Sequence, residues 1–246
     1  MRKFKVILAF GAALVFAGPI RAETRDLWPY FSRNMHEFNM GFVRAVQPNI
    51  EEYRRDKIPF VHRSLLNFTR NFSEPTNFVN STLTADLESM GVSLGRFVIN
   101  STVGLLGIFD VASEIGLKRD RRDFGTTLGF WGVPEMGFFE VPIAGPKTTR
   151  DAVGWAGDAA MDPWNWVIGF WPAFAIGLVG GLLEFDENYD VIYNFQMNAI
   201  DSYASLKSLH LQMRQRRIDE VNSLFFTGRV RPNSWEFDMD MAMDEE

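Results

Sequence analysis

Four aspartates and one arginine form the one cluster of chemistry-bearing side chains in this sequence: Asp123, Arg150, Asp151, Asp158 and Asp162. At helical spacing, Asp151 and Asp158 fall two turns apart on roughly one face. Two carboxylates on a face can divide acid and base work, and they can equally be a solvated side. A second pattern, Gly91-Val92-Ser93-Leu94-Gly95, matches the nucleophile elbow of serine hydrolases. That elbow needs a strand before the serine and a helix after it. Here the residues before Ser93 read as helix. Of 3 histidines, at 36, 62 and 210, only His210 follows Ser93 as the hydrolase order requires. A hydrolase using Ser93 is therefore the weakest reading, and no enzyme activity is expected. His-Glu-x-x-His, P-loop and dinucleotide fingerprints do not occur, and there is no cysteine. No metal, cofactor, thiolate nucleophile or disulfide is expected.

The cluster lies in a stretch that turns often. Residues 121–158 contain Gly125, Gly129, Gly132, Gly137, Gly145, Gly154 and Gly157, with Pro134, Pro142 and Pro146. Glycine opens backbone angles that other residues resist, and proline fixes one angle and removes a donor. The large apolar members are Phe124, Phe130, Trp131, Phe138, Phe139 and Trp155. Residues 138–143 are the one strand-like piece, which Pro142 confines to an edge or a short ribbon. Residues 146–161 read as a helix that starts at Pro146 and carries Arg150, Asp151 and Asp158.

Helices must position this stretch. Over residues 25–46, Trp28, Phe31, Met35, Phe38, Phe42 and Ala45 recur at helical spacing, and Pro48 is expected to end the helix. A second helix is expected over 58–72, with Val61, Leu65, Phe68 and Phe72 as its stripe and Ser73-Glu74-Pro75 as its end. A third is expected over 84–100, capped by Thr84, with Leu87, Met90, Leu94, Phe97 and Val98 buried. Residues 104–115 read as a short helix. Residues 164–183 carry no charge, which meets the length of a membrane span. Asn165, Pro172 and several glycines interrupt them, so a hairpin that enters a membrane and returns, or a buried hairpin, fits as well. Trp164, Trp166, Phe170, Trp171, Ile176 and Leu178 are the insertion candidates. Residues 187–222 are expected to form the longest helix, with Ile192, Phe195, Ala199, Tyr203, Leu206 and Met213 as its apolar stripe. The expected fold is mainly α, in one domain over residues 25–225, with at most one short β-ribbon.

The amino-terminus reads as a secretory signal peptide over residues 1–22. Arg2, Lys3 and Lys5 precede an apolar run, and Ala22 supplies the small residue for cleavage. Removing Arg2, Lys3, Lys5 and Arg21 from 25 basic residues leaves 21 against 31 acidic ones, a mature net charge of −10. That balance argues against nucleic acid, whose phosphates want a basic face. The 23 phenylalanines and 7 tryptophans suit a membrane interface and equally an aromatic core. Residues 226–246 read as an acidic, disordered tail.

Several blocks, in order, resemble the MlaA (VacJ) family of outer-membrane phospholipid-transport proteins. Asp26-Leu27-Trp28 with Phe31-Ser32-Arg33-Asn34 is similar to the family's opening, and Phe38-Asn39 continues it. Asn67-Phe68, Asn71-Phe72, Glu74-Pro75 and Val79-Asn80 follow, then Arg96-Phe97, Asn100 to Gly104 and Asp110-Val111-Ala112. The most specific block carries Asp123, Phe124, Gly125, Thr126, Thr127, Leu128, Gly129, Gly132, Pro142, Gly145, Pro146, Arg150 and Asp151. Asp201-Ser202-Tyr203 and Leu211 to Arg214 resemble the closing blocks. The resemblance implies a ring-like bundle of amphipathic helices embedded in a membrane leaflet, on the periplasmic side of the outer membrane. It implies a polar channel for phospholipids, a soluble periplasmic lipid-carrier protein as recipient and, for some members, a trimeric porin beside it. Arg150, Asp151, Asp158 and Asp123 become the candidates for lining the lipid path. Family members usually carry a lipid-bearing cysteine, which this sequence lacks, so no lipidation is expected. A periplasmic lipid-binding protein that never inserts is the alternative.

Overall fold

The computed structural model describes residues 25–26 and 29–227. The expected signal peptide, Trp28 and all but the first two residues of the expected tail lie outside them. Along the chain come β1 (Arg25–Asp26), α1 (Pro29–Asp56), α2 (Pro59–Leu83), α3 (Leu87–Thr102), α4 (Val111–Glu114) and α5 (Phe124–Phe130). After these come β2 (Gly137–Val141), β3 (Gly145–Thr148), α6 (Thr149–Met161), α7 (Pro163–Val167), α8 (Phe170–Asn198) and α9 (Ser202–Thr227). The fold is mainly α. The ribbon expected at 138–143 forms as the antiparallel β2–β3 hairpin, with Phe138 opposite Thr148, and β1 adds two residues in parallel along β2.

Short polar side chains start the helices. Asp86, Asp110 and Asp123 accept from the backbone N–H three residues on, which supplies a partner that the first helical turn lacks. Thr148 and Asp151 form a reciprocal capping box at α6, and Asp162 with Pro163 opens α7. The cap of α3 is thus Asp86 and not Thr84, because Thr84 is bonded back to carbonyls of α2.

Two prolines expected to end helices sit inside them. Pro48 lies within α1, whose last turns are held to α8 by Arg54 on Asp186 at 2.7 Å. Pro75 lies within α2, beside buried Glu74, which takes a 2.8 Å bond from Arg96 of α3. A proline removes one ladder bond, and these tertiary pairs hold the backbone in line on either side. Other boundaries also moved. Residues 104–109 make successive turns, leaving only α4 as helix in the expected 104–115 element. Pro146 belongs to β3, so α6 begins at Thr149. The long helix expected over 187–222 is broken at 199–201, where Ala199 is extended and Asp201 accepts from the Ala204 N–H at 2.9 Å.

Burial is inverted relative to a soluble bundle. The face of α3 turned to its neighbours is Ser89, Ser93, Arg96 and Asn100, while Leu87, Leu94 and Val98, expected inside, are at least half exposed. On α2 the buried face is largely His62, Thr69, Asn71, Glu74, Asn77 and Asn80, with Val61 and Leu65 outside. On α1, Ser32, His36 and Asn39 are inside, and Phe31 and Phe38 outside. The helical period was legible, but not the medium each face meets. Polar side chains pack well between helices when they satisfy one another, as Arg96 does with Glu74, Ser113, Asp110 and the Leu117 carbonyl. Among the described residues no helix is long and apolar enough to cross a membrane, so the charge-free run 164–183 forms no span. Gly169, at φ +88°, divides it into α7 and the first half of α8.

Candidate functional site

α1, the β2–β3 hairpin, α6 and α8 surround a cavity of about 1220 Å³. Helical spacing supplies its walls. Phe42, Val46 and Ile50 recur four apart on α1, and Phe174, Leu178 and Leu182 do so on α8. Gly177 and Gly181 also line it, and a side chain added at either would meet open space. The walls are mostly apolar, with a few polar groups among them, the composition of a site for an amphiphile.

Asn39 holds the hairpin that closes one side. Its amide nitrogen donates to Glu140 and to the Val141 carbonyl, both at 3.0 Å, and its oxygen accepts from the Ile143 N–H at 2.6 Å. That clamp keeps Ile143 at φ +66°, a conformation that a β-branched residue rarely adopts. Glu140 is almost wholly buried and also bonds His36 at 3.0 Å, whose other nitrogen reaches Ser202 at 2.7 Å.

Of the four lipid-path candidates, Asp158 lines this cavity. Its Oδ1 accepts from the Asn80 amide at 2.7 Å and the Phe124 N–H at 3.0 Å. Burial pushes its pKa up to about 6, against the pull of those two donors. Asn80 in turn accepts from Thr127 at 3.0 Å, so one polar chain joins α2, α5 and α6 at the cavity wall. Asp162 lines the cavity too, while capping α7.

The other three candidates belong to a second cluster behind the wall. Arg150 and Asp151 do not pair with each other. Arg150 meets Glu135 at 2.6 Å and the Val133 carbonyl at 3.2 Å. Asp151 takes Arg214 at 2.6 Å, His210 at 2.9 Å and the Thr148 N–H at 3.0 Å. Arg214 also forks onto Asp123 at 2.8 and 3.0 Å. Burial would raise the pKa of Asp151, but the His210 hydrogen bond and the Arg214 charge hold it at about 2. Asp123 is held lower still, against burial, by Arg214. Arg214 therefore ties α9 to the starts of α5 and α6.

The glycines of the family-like block allow this closeness. A side chain at Gly125 would strike the Arg214 guanidinium, at Gly129 the Ile218 side chain, and at Gly154 the backbone of Gly125. Sequence reasoning missed Asn39, Asn80 and Glu135 as site residues and read Arg214 only as a basic helix end. Arg214, Asn80 and Asn39 did stand in the family-like blocks, which was the one available signal.

The insertion candidates divide. Trp166 and Trp171 are about three-quarters or more exposed, and Phe170 and Leu178 are exposed while also lining the cavity. Trp164 is half-buried, stacked on Phe72 at 4.6 Å with its N–H on the Phe72 carbonyl, and Ile176 is half-buried too. Ser93 is buried in the middle of α3, where helix and not strand precedes it, and His210 is engaged with Asp151. The geometry of a nucleophile elbow is therefore absent at Ser93.

The described residues thus form a helix assembly with polar joints, apolar outer faces and an apolar-walled cavity open on one side. The chain belongs to the MlaA lipoprotein family, whose model matches residues 24–217. It is 28% identical over 207 residues to the intermembrane phospholipid transport system lipoprotein MlaA of Haemophilus influenzae, covering 81% of each chain. It is 32% identical over 130 residues to an uncharacterised protein of Rickettsia typhi, and the match spans only 52% of that relative's length. A solved structure from work on the structural basis for maintenance of bacterial outer membrane lipid asymmetry superposes with a TM-score of 0.70 at 26% identity, covering 78% of this chain and 98% of that one.

Proposed function

We propose that this protein moves phospholipid from the outer membrane toward the periplasm and so maintains outer-membrane lipid asymmetry, without catalysis. The cavity between α1, the hairpin, α6 and α8 carries the reading: its walls suit acyl chains and its few polar groups suit a head group. The outward apolar faces of α1, α2 and α3, with Trp166 and Trp171, support seating in the periplasmic leaflet of the outer membrane. No residue of the sequence is a cysteine, so these faces are the proposed anchor. A soluble periplasmic carrier receives the lipid, and a trimeric porin beside the protein is part of the same proposal. Insertion of this kind is favoured over a freely soluble periplasmic lipid-binding protein, because so many large apolar side chains face outward.

Filling the cavity tests the proposal. Gly177→Trp with Gly181→Trp places two indoles where nothing stands within 4 Å of the new Cβ atoms. The double variant is expected to fold, to fractionate with outer membranes, and to leave a strain lacking the native protein sensitive to detergent. Full restoration of detergent resistance by the filled protein, equal to that of wild type, would sink the proposal.

A further inference from the structure

The charges in the cavity wall are unequally provided with partners. Glu140 is bonded by His36 and Asn39, Asp158 by Asn80 and the Phe124 N–H, and Asp162 by the Trp164 N–H. Asp186 is bonded by Arg54 and Lys57. Lys147 is the one cation lining the cavity among the described residues. It stands on β3, opposite Phe139, where the hairpin register fixes its backbone. No hydrogen bond or ion pair reaches its ammonium among the described residues. Asp151 and Asp123 attract it through space and Arg121 and Arg214 repel it, but Asp151 is already bonded to Arg214, His210 and the Thr148 backbone, and Asp123 to Arg214.

We propose that Lys147 binds the phosphate of a phospholipid head group inside this cavity, while the acyl chains lie along Phe42, Val46, Phe174 and Leu178. This assignment rests on the lipid-path reading above. The physical reason is complementarity. A lysine on the wall of a mostly apolar cavity, with no ion pair or hydrogen bond to its ammonium among the described residues, lacks an anionic partner that a lipid phosphate supplies. Burial pushes the Lys147 pKa down, and an arriving phosphate pulls it back up by favouring the charged form. Among the described residues the wall offers an amphiphile nothing else positive, so head groups enter with the phosphate toward β3.

The test compares two ligands with the same chains. Binding of diheptanoyl phosphatidylglycerol and of diheptanoylglycerol, which lacks the phosphate, is measured on the purified full chain in detergent. Wild type is expected to prefer the phospholipid by about tenfold or more, the worth of one charge-assisted hydrogen bond. Lys147→Met is expected to lose that preference while binding diheptanoylglycerol as wild type does, and Lys147→Arg is expected to keep it. Lys147→Gln, with a polar end in the same place, is the second neutral variant and is expected to match Lys147→Met. A preference that survives in both neutral variants overturns the assignment but leaves the lipid-path reading standing. Failure of wild type to bind either lipid overturns both. Inorganic phosphate that binds wild type as tightly as the phospholipid, and loses binding in Lys147→Met, makes the site one for free phosphate and overturns the lipid assignment.

Discussion

Replacing Asp158 by asparagine separates the ionisation of the cavity wall from its hydrogen bonding. In the folded protein its pKa is about 6, raised by burial above an ordinary aspartate value of about 3.9. A carboxyl with a raised folded pKa favours folding while both states are protonated, and that advantage is lost as pH climbs through the folded value. The loss therefore falls between about pH 4 and 6. The shift of about two units corresponds to at most about 3 kcal/mol, or about 6–12 °C in melting temperature for a chain of this size. Asparagine keeps the oxygen that accepts from Asn80 and the Phe124 N–H, and it does not ionise. Its nitrogen replaces Oδ2, which shares only the Phe124 N–H. Asp158→Asn is expected to melt near wild type at pH 4 and above it at pH 7. Thermal melting of both proteins in one detergent, at half-unit steps from pH 4 to 7, measures this directly. A difference between the two that stays constant across the range would refute the reasoning, because the penalty would then not be ionisation.

Arg214→Met removes the shared partner of Asp123 and Asp151 and is expected to destabilise by about 3–5 kcal/mol, seen as a melting point lower by about 6–20 °C at pH 7. Both carboxyls have lowered folded pKa values, so their support is present above about pH 4 and is lost as pH falls further; the deficit of the variant should shrink there, and a deficit unchanged at pH 3 would count against the pairing. Trp166→Glu with Trp171→Glu changes two mostly exposed side chains and is expected to leave the fold intact while releasing the protein to the soluble fraction after a carbonate wash, each carboxylate costing about 2.5–3.5 kcal/mol at bilayer depth. Retention of that variant with the membranes would remove α7 and the start of α8 from the anchor.

The sequence alone determined the period of the long helices, the position of the ribbon and the family-like blocks, because these depend on local spacing, glycine and proline. The caps at Asp123 and Thr148 and the helix start at Asp201-Ser202 were not read from the sequence, because a capping side chain is defined by the turn it closes. Only the tertiary structure decided which face of each helix is inside. A stripe such as Leu87, Leu94 and Val98 has the same period whether it meets a core or a lipid. The buried lattice of Arg96, Glu74 and Asn100 turned it outward by giving the polar face satisfied partners. Pro48 and Pro75 likewise passed from helix ends to helix interiors once distant ion pairs held the backbone across them. The pairing of charges was decided in the same way. Arg150 and Asp151 are neighbours in sequence and point to different partners, Glu135 and Arg214. Consecutive residues of a helix diverge by about 100° around its axis, and long-range packing alone brings α9 against the capped ends of α5 and α6.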